Sequence, residues 1–234
     1  NLKIASNITT LFCPIEMDRG NPISLKNNNK PVANALARWQ SASKNLFVWD
    51  YTVQFANYMS PFPNLSYFEE NYTTFKANNV KGLFVQGYAD VPGDFSELRQ
   101  YLLAKLLWDA SIDVKATTAD FLRGFYGKAA SEIENYLKLL SENQKKSKAY
   151  LDIYSGPVQN RTTYLTPEAM NQYDKFLEKA WQAVDEDKTI QKRVEKLSLA
   201  LEYTYFEQAK FYGADAHGLF ITNSNGEKII KEGL

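Results

Sequence analysis

The chain has 234 residues, 44% hydrophobic and 14% aromatic, enough to build one large core or two small ones. Twenty-seven basic residues balance 27 acidic ones, so no long-range field gathers phosphates, and nucleic acid is not an expected partner. A single cysteine, Cys13, and a single histidine, His217, exclude an internal disulfide and a thiolate or imidazole zinc cage, so we expect no metal and no cofactor, and any chemistry rests on carboxylates, amides and aromatic rings.

The first 110 or so residues alternate short apolar runs with amphipathic segments, the rhythm of strand–helix units and a parallel sheet. The first strand is expected between Asn7 and Ile15, running into Pro14-Ile15-Glu16-Met17-Asp18. The second is Leu46 to Tyr51, and the third is Gly82 to Gly87. Helices are expected at Val32–Ser43 and Ser66–Asn78, the second with Phe68, Tyr72 and Phe75 at helical spacing and Asn78-Asn79 as its stop. Asp94 with Glu97 three residues later has the pattern of a capping box, followed by Leu98, Leu102, Leu103, Leu106 and Leu107, which should pack on the sheet.

From Thr117 to Gly213 the periods are helical throughout, which places a domain boundary near residue 113 and divides the chain into 1–113 and 114–234. Thr166-Pro167-Glu168 opens a helix whose apolar stripe is Met170, Tyr173, Leu177, Trp181 and Val184. A second stripe is Ile190, Val194, Leu197, Leu201 and Phe206. Leu219–Thr222 and Lys228–Ile230 fit a short C-terminal hairpin or a frayed segment. No run of about 18 apolar residues is present, so no membrane span is expected. No signal peptide is expected at the start, and the absent initiator methionine leads us to expect a trimmed or partial chain. Asn27-Asn28-Asn29 reads as an exposed loop. The Asn-x-Ser/Thr sequons at Asn7, Asn64, Asn71 and Asn160 read as chance occurrences.

The fold class expected from this order is α/β followed by all-α: the last strand–helix units of a (β/α) TIM-type barrel, then a helical bundle. Three parallel strands alone leave edges and faces open, so their neighbours, the N-terminal part of the same barrel, are expected upstream. In such barrels the functional groups gather where strands end. Glu16, Asp18, Asp50 and Gln86 hold such positions. Glu16 and Asp18 are two apart and would point to one side of an extended chain, with Asp50 approaching from the next strand. Paired carboxylates suit glycosidic cleavage, one protonating the leaving oxygen and the other serving as base or nucleophile. Acidic residues at strand ends also cap helices, pair with an arginine such as Arg19, or meet solvent. Trp49 and Tyr51 flank Asp50 and Tyr88 follows Gln86, an arrangement able to stack a sugar ring while Gln86 holds its hydroxyls. Tyr58-Met59-Ser60-Pro61-Phe62-Pro63-Asn64 is a stiff aromatic loop on the same side.

Several blocks taken jointly carry a resemblance: Phe12-Cys13-Pro14-Ile15-Glu16-Met17-Asp18, Leu46 to Tyr51 with Pro61-Phe62-Pro63-Asn64, Val80 to Gly87, Phe95 to Arg99, Leu102 to Asp109, and Phe125-Tyr126-Gly127 with Ala129-Ala130. Over about residues 8 to 140 the chain is similar to a bacterial family catalogued as a domain of unknown function (number 4838). The resemblance implies a TIM-type barrel related to glycoside hydrolases such as alpha-glucuronidases and beta-hexosaminidases, secreted, periplasmic or on the cell surface of polysaccharide-degrading bacteria. One position departs from the pattern: Arg19-Gly20-Asn21-Pro22 stands where a histidine is expected before proline. Two readings follow, a glycoside hydrolase using Glu16, Asp18 and Asp50 with Trp49, Tyr51, Gln86 and Tyr88 around the sugar, or a non-catalytic glycan-binding or scaffold protein.

Overall fold

The computed structural model describes residues 3–87, 93–212 and 220–230. Its first part runs β1 (Thr9–Phe12), α1 (Lys30–Ala42), β2 (Asn45–Tyr51), α2 (Phe68–Ala77), β3 (Gly82–Gln86) and α3 (Ser96–Trp108). The strands pair in parallel in the order β1-β2-β3, with Leu11 opposite Phe47, Trp49 opposite Phe84 and Tyr51 opposite Gln86. This sheet is open and corrects the expectation of a TIM-type barrel. Closure requires a strand neighbour at every edge, and among the described residues β1 and β3 each have one neighbour only. What the sequence foretold as strand–helix alternation is present, but as a small α/β layer.

Period-2 alternation divides the sheet into two unlike faces. Leu46, Val48 and Asp50 of β2 point to the helices and are buried, and Leu46 and Val48 join Met17, Ile23, Leu36 and Phe75 in one apolar cluster. Burying each of these large side chains contributes about 1.5–3 kcal/mol. The other face carries Leu11, Phe47 and Phe84, which are 48%, 36% and 53% exposed. Gly82 leaves room for the Phe47 ring: a Cβ there would lie against it, and the ring would have to shift.

The remainder is helical: α4 (Val114–Tyr126), α5 (Ala130–Ser147), α6 (Pro167–Gln182) and α7 (Lys188–Tyr212), then an antiparallel pair, β4 (Phe220–Thr222) and β5 (Lys228–Ile230). The larger apolar cluster runs from Phe62 and α3 through Leu122, Ile133, Tyr136 and Leu140 to Met170, Tyr173, Leu177, Val194 and Leu201. Thr166 caps α6 by accepting from the Ala169 amide at 3.2 Å, with Pro167 in its first turn, as the sequence led us to expect. Asn79 adopts a left-handed φ of 55° just after α2 and ends it.

Three local expectations fail. Trp181 and Phe206 are exposed rather than core; Trp181 turns its indole N–H to Glu195 at 3.4 Å, and Tyr205 is the buried neighbour of Phe206. Asp94 is not the cap of α3, because Phe95 occupies that place with a left-handed φ of 49° and no side-chain cap is made. Of the expected exposed loop Asn27-Asn28-Asn29, Asn28 is exposed and Asn27 half-buried, but Asn29 is buried. The sequon residues Asn64, Asn71 and Asn160 are buried as well. No helix among the described residues is long and apolar enough to cross a membrane.

Candidate functional site

The C-terminal ends of β2 and β3 carry an aromatic group on the sheet's bare side. Trp49 and Tyr51, two apart on β2, lie with ring planes 17° apart and centroids 6.1 Å apart. Phe84 meets Trp49 edge-on at 4.7 Å. The indole N–H of Trp49 donates to Gln86 Oε1 at 2.8 Å, so a hydrogen bond between neighbouring strands fixes both side chains. Phe55 and Tyr58, on the loop after β2, continue the group, the Phe55 centroid 6.1 Å from that of Tyr51 and the Tyr58 centroid 5.8 Å from that of Phe55. Trp49, Tyr51 and Gln86 therefore meet as the sequence suggested; Tyr88 lies outside the described residues.

The three carboxylates have unlike environments. The chain is extended only to Phe12 and then turns, with Met17 N–H donating to Pro14 C=O at 3.1 Å, so the alternation that would align Glu16 with Asp18 is lost. Glu16 is exposed, and its carbonyl accepts from the Tyr150 hydroxyl. Asp18 is fully buried. Its Oδ1 accepts from the amides of Gly20 at 2.8 Å and Leu151 at 3.0 Å, and its Oδ2 from the side-chain amides of Asn21 at 2.8 Å and Asn28 at 3.0 Å. Asn29 reinforces the turn by accepting from the Asp18 amide at 2.9 Å and donating to its carbonyl at 2.7 Å. The asparagine run thus holds a buried aspartate, a role that its sequence, lacking any periodicity, did not disclose.

Asp50 is buried on the helix side of β2, opposite in direction to Trp49 and Tyr51. Its Oδ1 accepts from the Tyr51 amide at 2.9 Å, and Tyr72 of α2 donates to Oδ2 at 3.5 Å. Burial pushes this carboxyl above the ordinary aspartate range, and the Arg19 charge partly opposes the shift. Burial likewise drives the Tyr72 phenol well above its usual value, with the Asp50 charge adding to it.

Arg19, offered by the sequence as a partner for an acid, directs its hydrogen bonds to backbone carbonyls instead. Nε donates to the Tyr51 carbonyl, Nη1 to the Ile15 and Met17 carbonyls at 3.1 and 2.7 Å, and Nη2 to the Pro14 carbonyl at 3.2 Å. Its guanidinium also lies 5.5 Å from the centre of the Tyr51 ring. A planar donor fork suits this task of collecting several carbonyls at once. It locks the turn after β1 to the end of β2.

The segment joining α5 to α6 forms a further wall. Gln54 Nε2 donates to the Asp152 carbonyl at 3.1 Å, the Phe55 and Ala56 amides to the Ile153 carbonyl at 3.1 Å, and Asn57 Nδ2 to the Ser155 carbonyl at 2.9 Å. Tyr150 and Tyr154 of this segment are exposed. These contacts span nearly 100 residues of sequence and could not be read from local spacing. A separate cleft of about 260 Å³, lined by Tyr72, Val80, Gly82, Leu83, Leu107 and Trp108 among others, opens at the other end of β3 and is remote from Gln86. Among the described residues no group of three or more His, Cys, Asp or Glu side chains is placed to hold a metal ion.

No curated protein and no solved structure matches this chain. A family model does, over residues 1–138, which takes in the sheet, Arg19, the aromatic group and α3 to α5 as far as the middle of the last. The chain belongs to the family described as Domain of unknown function (DUF4838).

Proposed function

We propose that this chain is a carbohydrate-active protein that binds a glycan at the aromatic group on the ends of β2 and β3. The observation that carries the reading is the fixed unit of Trp49, Tyr51 and Gln86: two rings of common orientation, with an amide held between neighbouring strands by a 2.8 Å hydrogen bond. Aromatic carbon surface with convergent amide and hydroxyl groups is the surface chemistry that suits a sugar. Binding is favoured over cleavage because Asp18 is filled by four donors and Asp50 points away from the rings, leaving Glu16 as the exposed carboxylate of the three. A bacterial secreted, periplasmic or cell-surface location fits this reading.

Glycoside hydrolysis is the second reading, and one observation favours it: burial raises the Asp50 carboxyl, the condition of a general acid that keeps its proton. Affinity electrophoresis in gels containing xylan, hydroxyethylcellulose, galactomannan or pullulan tests the first reading. Retardation of the wild type by at least one polysaccharide, lost in Trp49→Ala, is expected; no retardation by any would refute binding at this group. Reducing-sugar release from the same panel tests the second, with Asp50→Asn expected to lower turnover about 10²-fold if Asp50 is the acid.

A further inference from the structure

The loop after β2 carries Phe55 and Tyr58, so the shape of the aromatic group depends on what holds that loop. One side is tied to the α5–α6 segment. The other converges on a residue of α3, Arg99, which is 1% exposed. Its Nη1 donates to the Thr52 carbonyl at 3.0 Å and to Asn64 Oδ1, and its Nη2 donates to the Phe62 carbonyl at 3.2 Å and the Asp94 carbonyl at 3.4 Å. Asn64 Nδ2 closes the loop by donating to the same Thr52 carbonyl at 3.0 Å. The Asp94 carboxylate lies 3.7 Å from Nη2 and accepts from the Phe62 amide at 3.0 Å. Thr52, the residue after Tyr51, and Phe62 to Asn64, just before α2, are thus both fastened to one guanidinium.

A buried guanidinium is an expensive way to fill space, since desolvation offsets much of what its ion pair contributes. It is an effective way to fix geometry, because its donors leave a rigid plane in set directions and a lysine cannot reproduce them. The backbone accommodates it: Phe95 takes a left-handed φ of 49° between Asp94 and the first residue of α3, a conformation that is strained for a non-glycine residue.

We propose that Arg99 is the positioning residue of the aromatic group, closing the 52–64 loop so that Tyr51, Phe55 and Tyr58 present their rings together; the consequence for glycan affinity rests on the function proposed above. Arg99 acts through the loop, by its hydrogen bonds to the Thr52, Phe62 and Asp94 carbonyls and to the Asn64 side chain.

Arg99→Lys keeps a charge beside Asp94 but loses the fork, and Arg99→Met removes both. Hydrogen–deuterium exchange of the peptides covering 52–64 is compared with that of α6, without any glycan. Exchange of 52–64 faster by about tenfold or more in both variants, with α6 unchanged and the near-ultraviolet circular dichroism of the aromatic group reduced, is expected. Unchanged exchange at 52–64 despite a lower Tm would overturn the proposal, as would loosening of α6 by the same factor. Where wild type is retarded by one of the four polysaccharides, Arg99→Lys should weaken the retardation; unaltered retardation in a loosened loop would also overturn it. If no polysaccharide retards the wild type, the glycan reading fails and the exchange result alone decides Arg99.

Discussion

Replacing Asp94 with asparagine gives a test of the buried polar cluster with a sign that can be worked out beforehand. Burial lifts the Asp94 carboxyl from 3.8 to about 6, against the opposing effects of Arg99 and the Phe62 amide. The folded state therefore holds this proton more tightly than the unfolded one. The associated stability is fully present below about 3.8 and is lost as pH rises through about 6. The two values differ by about two pH units, each worth about 1.4 kcal/mol, so ionisation of Asp94 costs about 3 kcal/mol by neutral pH. Its side chain is 1% exposed, so no discount for solvent screening is needed. Asparagine has the same shape and can still accept from Phe62, yet does not titrate. Urea unfolding of wild type and Asp94→Asn at pH 4.5, 5.5, 6.5 and 7.5 isolates the effect, since the remaining carboxylates are common to both. The stability of the variant relative to wild type should rise by about 2 kcal/mol between the lowest and highest pH, the rest of the effect lying below pH 4.5. A difference that stays flat within about 0.5 kcal/mol, or moves the other way, would refute the reasoning.

Asp18→Ala strands the amides of Gly20 and Leu151 and two asparagine side chains, and should lower unfolding free energy by at least about 3 kcal/mol in urea titration. Gly82→Ala forces its new Cβ against the Phe47 ring and should cost about 1–3 kcal/mol, with Phe47→Ala in the same chain relieving much of it. Thr166→Ala removes the cap of α6 and should cost about 1 kcal/mol, whereas Thr163→Ala, in the preceding turn, should leave the α6 cap intact; comparison of their denaturation midpoints checks this.

The strands of the sheet were legible because their apolar runs are bounded by turn residues, and the observed β2 and β3 fall within a residue of their expected limits. Closure into a barrel was not legible, since a run such as Gly82 to Gln86 carries no mark of how many strands lie beyond it. The aromatic group was legible because Trp49 and Tyr51 are local and two apart, a spacing that period-2 geometry turns into contact. The environments of the acids were hidden. Asp18 accepts from the amide of Leu151, more than 130 residues away, and Arg99 reaches back 47 residues to Thr52. Trp181 and Phe206 misled because helical spacing marks a stripe without saying where the neighbouring helix stops.

The uneven sheet also has a practical consequence. Leu11, Phe47 and Phe84 lie on one open face, and neither β1 nor β3 contains a lysine or proline to discourage another strand. Encounter between two such surfaces scales with the square of concentration. Purification and crystallisation will therefore be sensitive to how dilute the protein is kept, above all near neutral pH, where 27 charges of each sign leave little net repulsion to hold molecules apart.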